Sequence, residues 1–540
     1  MKSRFAEHKG IRRPRRWILG MVAVVTGAVL ALSGCATSPS AVNSATDTAP
    51  SLTWGLAISP RSLFAPSNYS QDGSSVMSLI QSQLLNISNE GKLEAGVASE
   101  WEAVDSTTYR YTIGKAVFSN GDEVTAEDVA FSLNLQLDPK VASQEGGLFS
   151  NVDSVTYKGD VVTVKLKKAD SLWQFLPASI TGYVYQKKSV EASLATYGTP
   201  ETLPIGSGPY MVSEFVPDSQ VVLVRNPKFV GDKPKYDKIT FKIIPDPQTM
   251  LLAMSTGEID GTFSVPSASI DLWKAAANVS TFSGLRWTGL TLDMTQAPYS
   301  DIHVRKALYY ATDRKAIVDG LLGGLGTVST TANDPSIFAA ALDKGIVDSS
   351  YEQIETFSYD VNKAKQELAM SSVPDGFDLT LNVPQSAVLE AICQAVKADW
   401  AKIGVNVTLN LMQGGPRFQI IMDHAPNLGV QIISNTPDAP DSAQMAWQYY
   451  SSEQAVQNGN NSSNLRDPKV DALITEAQAS TDSEKGAQLV LEAQIAAAKS
   501  VPSIPIAWGQ YPVAVKKGGN AKGIGTWYAQ QIWTDLISLK

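Results

Sequence analysis

The sequence predicts an α/β body carried behind an N-terminal export segment. Two observations predict the body. Strand-like and helix-like stretches alternate along the 540 residues, the pattern of mixed layers of sheet and helix. Apolar residues make up 44% of the chain, enough for the cores of two or three domains or of one large two-lobed unit. The export segment rests on a third observation, the order of residues before Cys35.

Seven basic residues (Lys2, Arg4, Lys9, Arg12, Arg13, Arg15, Arg16) face one acid, Glu7, and a mostly apolar run follows from Trp17 to Leu32. A charged, then apolar, then small-residue order marks a secretory signal over residues 1–34. The run is too short for the ~20 apolar residues of a spanning helix. It ends in Leu32-Ser33-Gly34-Cys35, which resembles a bacterial lipobox and implies lipidation of Cys35. Residues 35–50 then read as a flexible tether of small polar residues, with a typical span of roughly 20 Å.

Globular elements begin at Leu52. Tyr109–Ile113 alternates apolar and polar, as a half-buried strand does. Thr125 caps a helix with Asp128 at its third position, and Val129, Leu133 and Leu137 follow at helical spacing. Val152–Lys168 reads as two strands joined through Lys158-Gly159-Asp160. Val304, Ala307, Leu308, Ala311, Ile317 and Val318 form the stripe of one amphipathic helix. Gly320 to Gly326 is a flexible turn after it. Leu389–Ile403 is a helix stopped by Gly404, and Val405–Leu411 is a strand. Asp467–Ala479 and Glu484–Ala498 are Ala-rich helices. No internal repeat occurs.

Of the 44 Lys and Arg, seven precede Cys35, as does one of the 53 acids, so the exported part keeps 37 basic and 52 acidic residues. That acidity excludes nucleic-acid binding as a function. With Cys35 lipidated, Cys393 stands alone in an apolar stretch, which rules out an internal disulfide and gives a buried structural thiol. Past Cys35 there are two histidines, His303 and His424. No His-Glu-x-x-His, Gly-x-Ser-x-Gly or phosphate-loop pattern occurs, so nothing marks a zinc protease, an α/β-hydrolase or an ATPase. His424 fits a ligand contact or a structural hydrogen bond. Carboxylates are abundant, and no glycosidase pair stands out. No catalytic residue, cofactor site or metal site is expected.

Five segments resemble, in order, the extracytoplasmic solute-binding proteins of peptide-type ABC importers, the oligopeptide/dipeptide/nickel-binding family 5. They are Phe118-Ser-Asn-Gly-Asp-Glu-Val-Thr-Ala-Glu-Asp-Val-Ala-Phe-Ser132 and Pro204-Ile-Gly-Ser-Gly-Pro-Tyr210. Next come Arg225-Asn-Pro-Lys-Phe229 with Lys235–Phe241 and Ser255–Asp260, then Val304–Val318. The fifth is Tyr359–Lys365 with Trp400–Asn406. Most of these residues read as scaffold: Gly121 in a turn, Gly206, Gly208 and Pro209 in a connection, Asp313 and Arg314 in structural ion pairs.

The resemblance implies a two-lobed periplasmic-binding-protein-like α/β fold of the large three-domain type, hinged between lobes. Carried over, lobe I takes 52–80, 200–288 and 505–540, an inserted subdomain takes 81–199, and lobe II takes 289–504. The crossovers fall near Gly289–Leu292 and Ile504–Trp508. In peptide-binding members an aspartate receives the ligand α-ammonium; Asp438 matches it and Asp441 matches a second acid. Asn435, Thr436 and Pro437, with Ser434, match residues that pair with the peptide main chain. The segment departs from the family pattern at Ser442, where proline is usual, at Pro437, which has no N–H to donate, and at Asn435, where an aromatic is common. Arg417 is the candidate for a ligand carboxylate, and Trp287 for the cleft wall. Trp447, Tyr449 and Tyr450 fit a pocket or helix packing equally. The implied function is a non-enzymatic, lipid-anchored, monomeric binding protein on the extracytoplasmic face of the bacterial membrane. It captures an oligo- or dipeptide for a permease; an oligosaccharide is the alternative.

Overall fold

In this computed structural model residues 50–68, 70–425 and 428–539 are described. The signal, Cys35 and most of the tether lie outside them. None of the helices described is long and apolar enough to cross a membrane.

An eleven-stranded sheet organises the chain. Its middle is a pair of long antiparallel strands, Ala277–Leu292 and Ser503–Lys516. On one side follow Gly261–Thr262, Ser51–Leu56, Lys238–Ile243, Gln220–Arg225 and Tyr210–Val216. On the other side lie Val430–Asn435, Phe377–Pro384 and Val405–Met412, while Gly326–Val328 pairs with Ser503–Lys516. The outer strands attach to opposite halves of the two long ones. Gly261–Thr262 pairs with Ala514 and Val515, whereas Val430–Asn435 pairs with Trp287–Leu292. The long strands therefore run from one lobe into the other. Their register breaks between Ser283 and Arg286, opposite Gly509 and Gln510. Gly289–Leu292, expected at a crossover, pairs with Val430–Ile433 on one side and follows a second register shift against Ser503–Lys516, between Thr288 and Gly289.

Each lobe has its own core. Leu52, Trp54, Tyr210, Phe241 and Trp533 fill one, and Leu290, Leu308, Val396 and Trp400 the other. Gly261 lies so close under Trp54 that a Cβ there would sit 2.1 Å from the ring, so no larger residue fits. A third core joins the inserted segment to the second lobe, since Trp173 and Phe149 share a cluster with Trp287, Met445 and Tyr449.

The inserted segment carries a four-stranded antiparallel sheet of Ala98–Asp105, Thr108–Ile113, Val161–Leu166 and Val152–Lys158. Gly159 takes φ +62° in the expected hairpin turn, where a Cβ would strain the backbone. The expected helix is Ala126–Leu135. Thr125 Oγ1 accepts from the Asp128 N–H at 3.2 Å, and Asp128 accepts from the Thr125 N–H at 3.0 Å. Asp128 also accepts from the Lys187 N–H at 2.9 Å, tying the helix start to a neighbour. Thr125→Ala is expected to lower stability by about 1 kcal/mol, read as a lower urea midpoint at unchanged m-value. Leu137, expected on the buried stripe, lies beyond the helix end and is exposed.

Two further expectations change. The stripe from Val304 to Val318 is two helices, Ile302–Ala311 and Arg314–Leu321. Asp313 stops the run by capping the second helix, accepting from the Ala316 N–H at 2.9 Å. Among the described residues Arg314 makes no ion pair. Its guanidinium donates to the carbonyls of Ser329, Pro505 and Phe357 and stacks on Tyr309. Cys393 is fully buried, and burial pushes its thiol up to about 12, which leaves it protonated and inert.

Candidate ligand-binding cleft

Parallel strands present their carboxyl ends to ligands in α/β sheets. In the first lobe Ser51–Leu56, Lys238–Ile243 and Gly261–Thr262 end around a cavity of about 390 Å³, walled by Ile58, Ile244, Phe263, Val265 and Tyr511 among others. In the second lobe Val430–Asn435 ends by delivering Asn435–Asp441. Asn435 stands opposite Trp287 in the sheet register. Its amide donates to Gln448 Oε1 at 3.1 Å. Thr436 Oγ1 is buried and has no hydrogen-bond partner. Pro437 is buried.

Asp438 is half-buried. Its N–H donates to Gln444 Oε1 at 2.9 Å, and its carboxylate accepts from Gln444 Nε2. Burial raises its pKa and the Gln444 bond offsets part of the rise. A second carboxylate, Glu145, reaches it electrostatically from the inserted segment. Burial first, and the charge of Asp438 second, push Glu145 up to about 7. Among the described residues neither acid has a Lys, Arg or His ion-pair partner. The Glu145 loop is pinned by the Gln144 N–H, which donates to Pro66 O at 3.0 Å, and by the Gln144 amide, which donates to Ser67 O at 3.1 Å. Two partly buried carboxylates thus lie within electrostatic reach of each other, each with its pKa raised first by burial.

Asp441 has a different role. It caps the helix Ser442–Tyr450, accepting from the Ala443 N–H at 3.0 Å, while its other oxygen accepts from Ser171 Oγ at 3.0 Å. Only 6% exposed, it is pushed up to about 7 by burial, with the charge of Asp170 adding to the rise. Gln174 Nε2 donates to Ser480 O at 3.3 Å and Lys168 pairs with Glu453 at 3.4 Å, so the inserted segment and second lobe are joined around Asp441.

Arg417 is committed to the backbone. It donates to the carbonyls of Asn382 and Ile432, and burial lowers its pKa to about 10. Trp287 is fully buried against Tyr449, with ring centroids 5.1 Å apart and its Nε1 unpartnered. Tyr450 bonds within the second lobe to Thr331 and Ala332, and Trp447 sits on the rim beside Glu453. Both histidines are engaged: His303 with Glu367 at 2.7 Å and His424 with Asn464 at 2.8 Å. Among the described residues no cluster of three or more potential ligands could hold a metal.

Known proteins share this arrangement of lobes. The sequence model of the bacterial extracellular solute-binding proteins, family 5 middle, matches residues 92–457. The chain belongs to that family. The family 5 match makes it a solute-binding protein of the ABC-importer type, and such proteins work outside the cytoplasm. Heme-binding protein A of Haemophilus influenzae is 25% identical over 451 residues, covering 77% of this chain and 79% of that one. The dipeptide-binding protein of Escherichia coli is 25% identical over 443 residues, covering 76% and 80%. Among solved structures, HbpA2 from Haemophilus parasuis superposes with a TM-score of 0.79 at 24% identity, covering 91% of this chain and all of that one. DppA from Helicobacter pylori, in complex with a peptide, gives 0.70 at 19% identity, covering 89% and 96%. These likenesses establish the two-lobed fold.

Proposed function

We propose that this family 5 protein captures short peptides and hands them to an ABC permease. The observation that carries the reading is Asp438, a half-buried carboxylate just past the carboxyl end of a sheet strand, with no ion-pair partner among the described residues. A peptide's α-ammonium supplies the missing charge. The apolar cavity at the first-lobe strand ends suits a side chain. The relatives that carry dipeptide-binding names support the same choice. Pro437 removes one main-chain donor beside Asp438, so pairing with the peptide backbone rests on the neighbouring residues.

The reading includes a non-enzymatic, monomeric protein anchored through lipid on Cys35. It takes residues 52–80, 200–288 and 505–540 as lobe I, 81–199 as its inserted subdomain and 289–504 as lobe II. The stretch Ser283–Gly289, bounded by two register shifts, is the natural hinge, because strand pairing is interrupted at both ends of it.

Native mass spectrometry of the protein as purified tests the reading, followed by fragmentation of any cargo and by titration of the stripped protein with a dipeptide and a tetrapeptide library. Peptide masses and saturable peptide binding are expected. Sugar masses, with no response to either library, would overturn it.

A further inference from the structure

A second cavity of about 620 Å³ lies between the first lobe and the inserted segment, and Asp438 is not among the residues that line it. The helix Gln71–Met77 separates it from the apolar cavity of the cleft: Gln71 and Asp72 line that one, and Ser78, just past the other end, lines this one. Its walls are the turn after that helix, the hairpin Leu85–Ile87 with Leu93–Ala95, the segment around Ser207, Phe229–Gly231 and Gln530–Ile532.

The Gly206-Ser207-Gly208 stretch explains one wall. A Cβ on Gly206 would sit 2.0 Å from Ile80 O, and one on Gly208 would sit 2.6 Å from Ile80 C. Both glycines are thus pressed on the Ile80 backbone, and Ser207 between them lines the cavity. Ser207 is 3% exposed and its Oγ has no hydrogen-bond partner. Gln530 Oε1 and Asn89 Oδ1 are likewise buried and unpartnered, Asn89 having given its amide N–H to Gly523 O at 2.7 Å. Natural proteins leave few such atoms unmet, and each costs free energy unless water or a ligand meets it.

The lining decides the chemistry. Ser, Gln and Asn dominate it, and its charged residues, Glu90, Glu94 and Lys115, are exposed at the rim. The unpartnered Gln530 Oε1, Asn89 Oδ1 and Gln81 Oε1 would repel an anion, though Gln81 Nε2 and the Ser207 hydroxyl can donate. An ammonium would find no buried carboxylate in the lining to offset its lost hydration. A neutral molecule rich in hydroxyls both donates and accepts, and its C–H face can pack on Phe229. The volume falls in the range of small-molecule sites, about 300–1,000 Å³. We infer that this cavity is a second binding site, for a neutral sugar of one or two rings, formed by Ser207, Gln530, Asn89 and Phe229.

The test is saturation-transfer NMR and calorimetric titration of the purified protein with maltose. Saturable binding is expected, weakened roughly five- to tenfold by Ser207→Val and by Gln530→Leu, on the scale of one neutral hydrogen bond each. Gln530 is only partly buried, so its leucine variant keeps the test valid if the valine variant folds poorly. Asp438→Ala is expected to leave maltose binding unchanged. Absence of maltose binding, or binding insensitive to Gln530→Leu, would show a water-filled cavity and overturn the inference. Maltose binding abolished by Asp438→Ala would also overturn it, by placing sugar in the main cleft at the expense of the peptide reading. Peptide binding without maltose binding would remove this site alone.

Discussion

Peptides with a free amino terminus are expected to lose roughly 30- to 4,000-fold in affinity when Asp438 becomes alanine, about 2–5 kcal/mol for removing one partner of a buried charged bond. The conservative Asp438→Asn keeps the volume and a polar contact for Gln444, so most of the loss should persist; charge, not shape, is what the site supplies. N-acetylated peptides should bind the unaltered protein as weakly as free peptides bind the variants. Acidity gives a further signature. Glu145 is pushed up to about 7 and Asp438 is raised above the usual carboxylate range. An acid with a raised pKa gains its charge only as pH climbs through that pKa. Affinity for a peptide should therefore rise from pH 5 to about 7 and fall again as the ligand's own α-ammonium loses its proton near pH 8. Calorimetry across that range reads it, and Glu145→Gln should remove the upper part of the rise. Equal affinity in Asp438→Ala and the unaltered protein would dismiss the ammonium site.

Local signals in the sequence were the ones that survived into the structure. Thr125 with Asp128, Gly159 in its hairpin and Gly404 at a helix end each act within a few residues, so chain order is enough to read them. The Val304–Val318 stripe misled because Ile317 and Val318 keep helical spacing with Val304 across a break. Asp313, a strong capping residue inside the stripe, was the available signal. The candidate site divided along the same line. Asp438 and its neighbours follow one strand, so a motif match could propose them. Glu145 comes from a Gly- and Ser-rich loop almost three hundred residues away, and nothing local marks it. Arg417 looked like a free cation because sequence shows charge and not partners; the carbonyls of Asn382 and Ile432 that hold it belong to other strands. The bonds of Asp441 to the Ala443 N–H and to Ser171 Oγ were hidden for the same reason.

Asp441 carries the second large expectation, and its sign is opposite to that of ligand capture. Folding raises its pKa from the ordinary 3.8 to about 7, by burial first and by the charge of Asp170 next. The native state therefore binds this proton more tightly than the unfolded chain. Its contribution to stability is fully present below about pH 4 and declines as pH rises through 7, by up to about 4 kcal/mol. Asp441→Asn holds the neutral form at every pH, and asparagine caps a helix as well as aspartate does. The variant should match the parent at pH 4 and exceed it by several kcal/mol at pH 8 in urea unfolding. Parallel pH profiles for the two proteins would remove Asp441 from the account. The same carboxyl holds Ser171 of the inserted segment against the second lobe at 3.0 Å. Water reaching Asp441 relieves the cost of its charge, and water reaches it when that contact parts. Rising pH thus loosens the junction beside the cleft while it charges Asp438 and Glu145 for a cation. In Asp441→Asn the two effects should separate: affinity keeps its pH dependence while stability loses the part that Asp441 contributes.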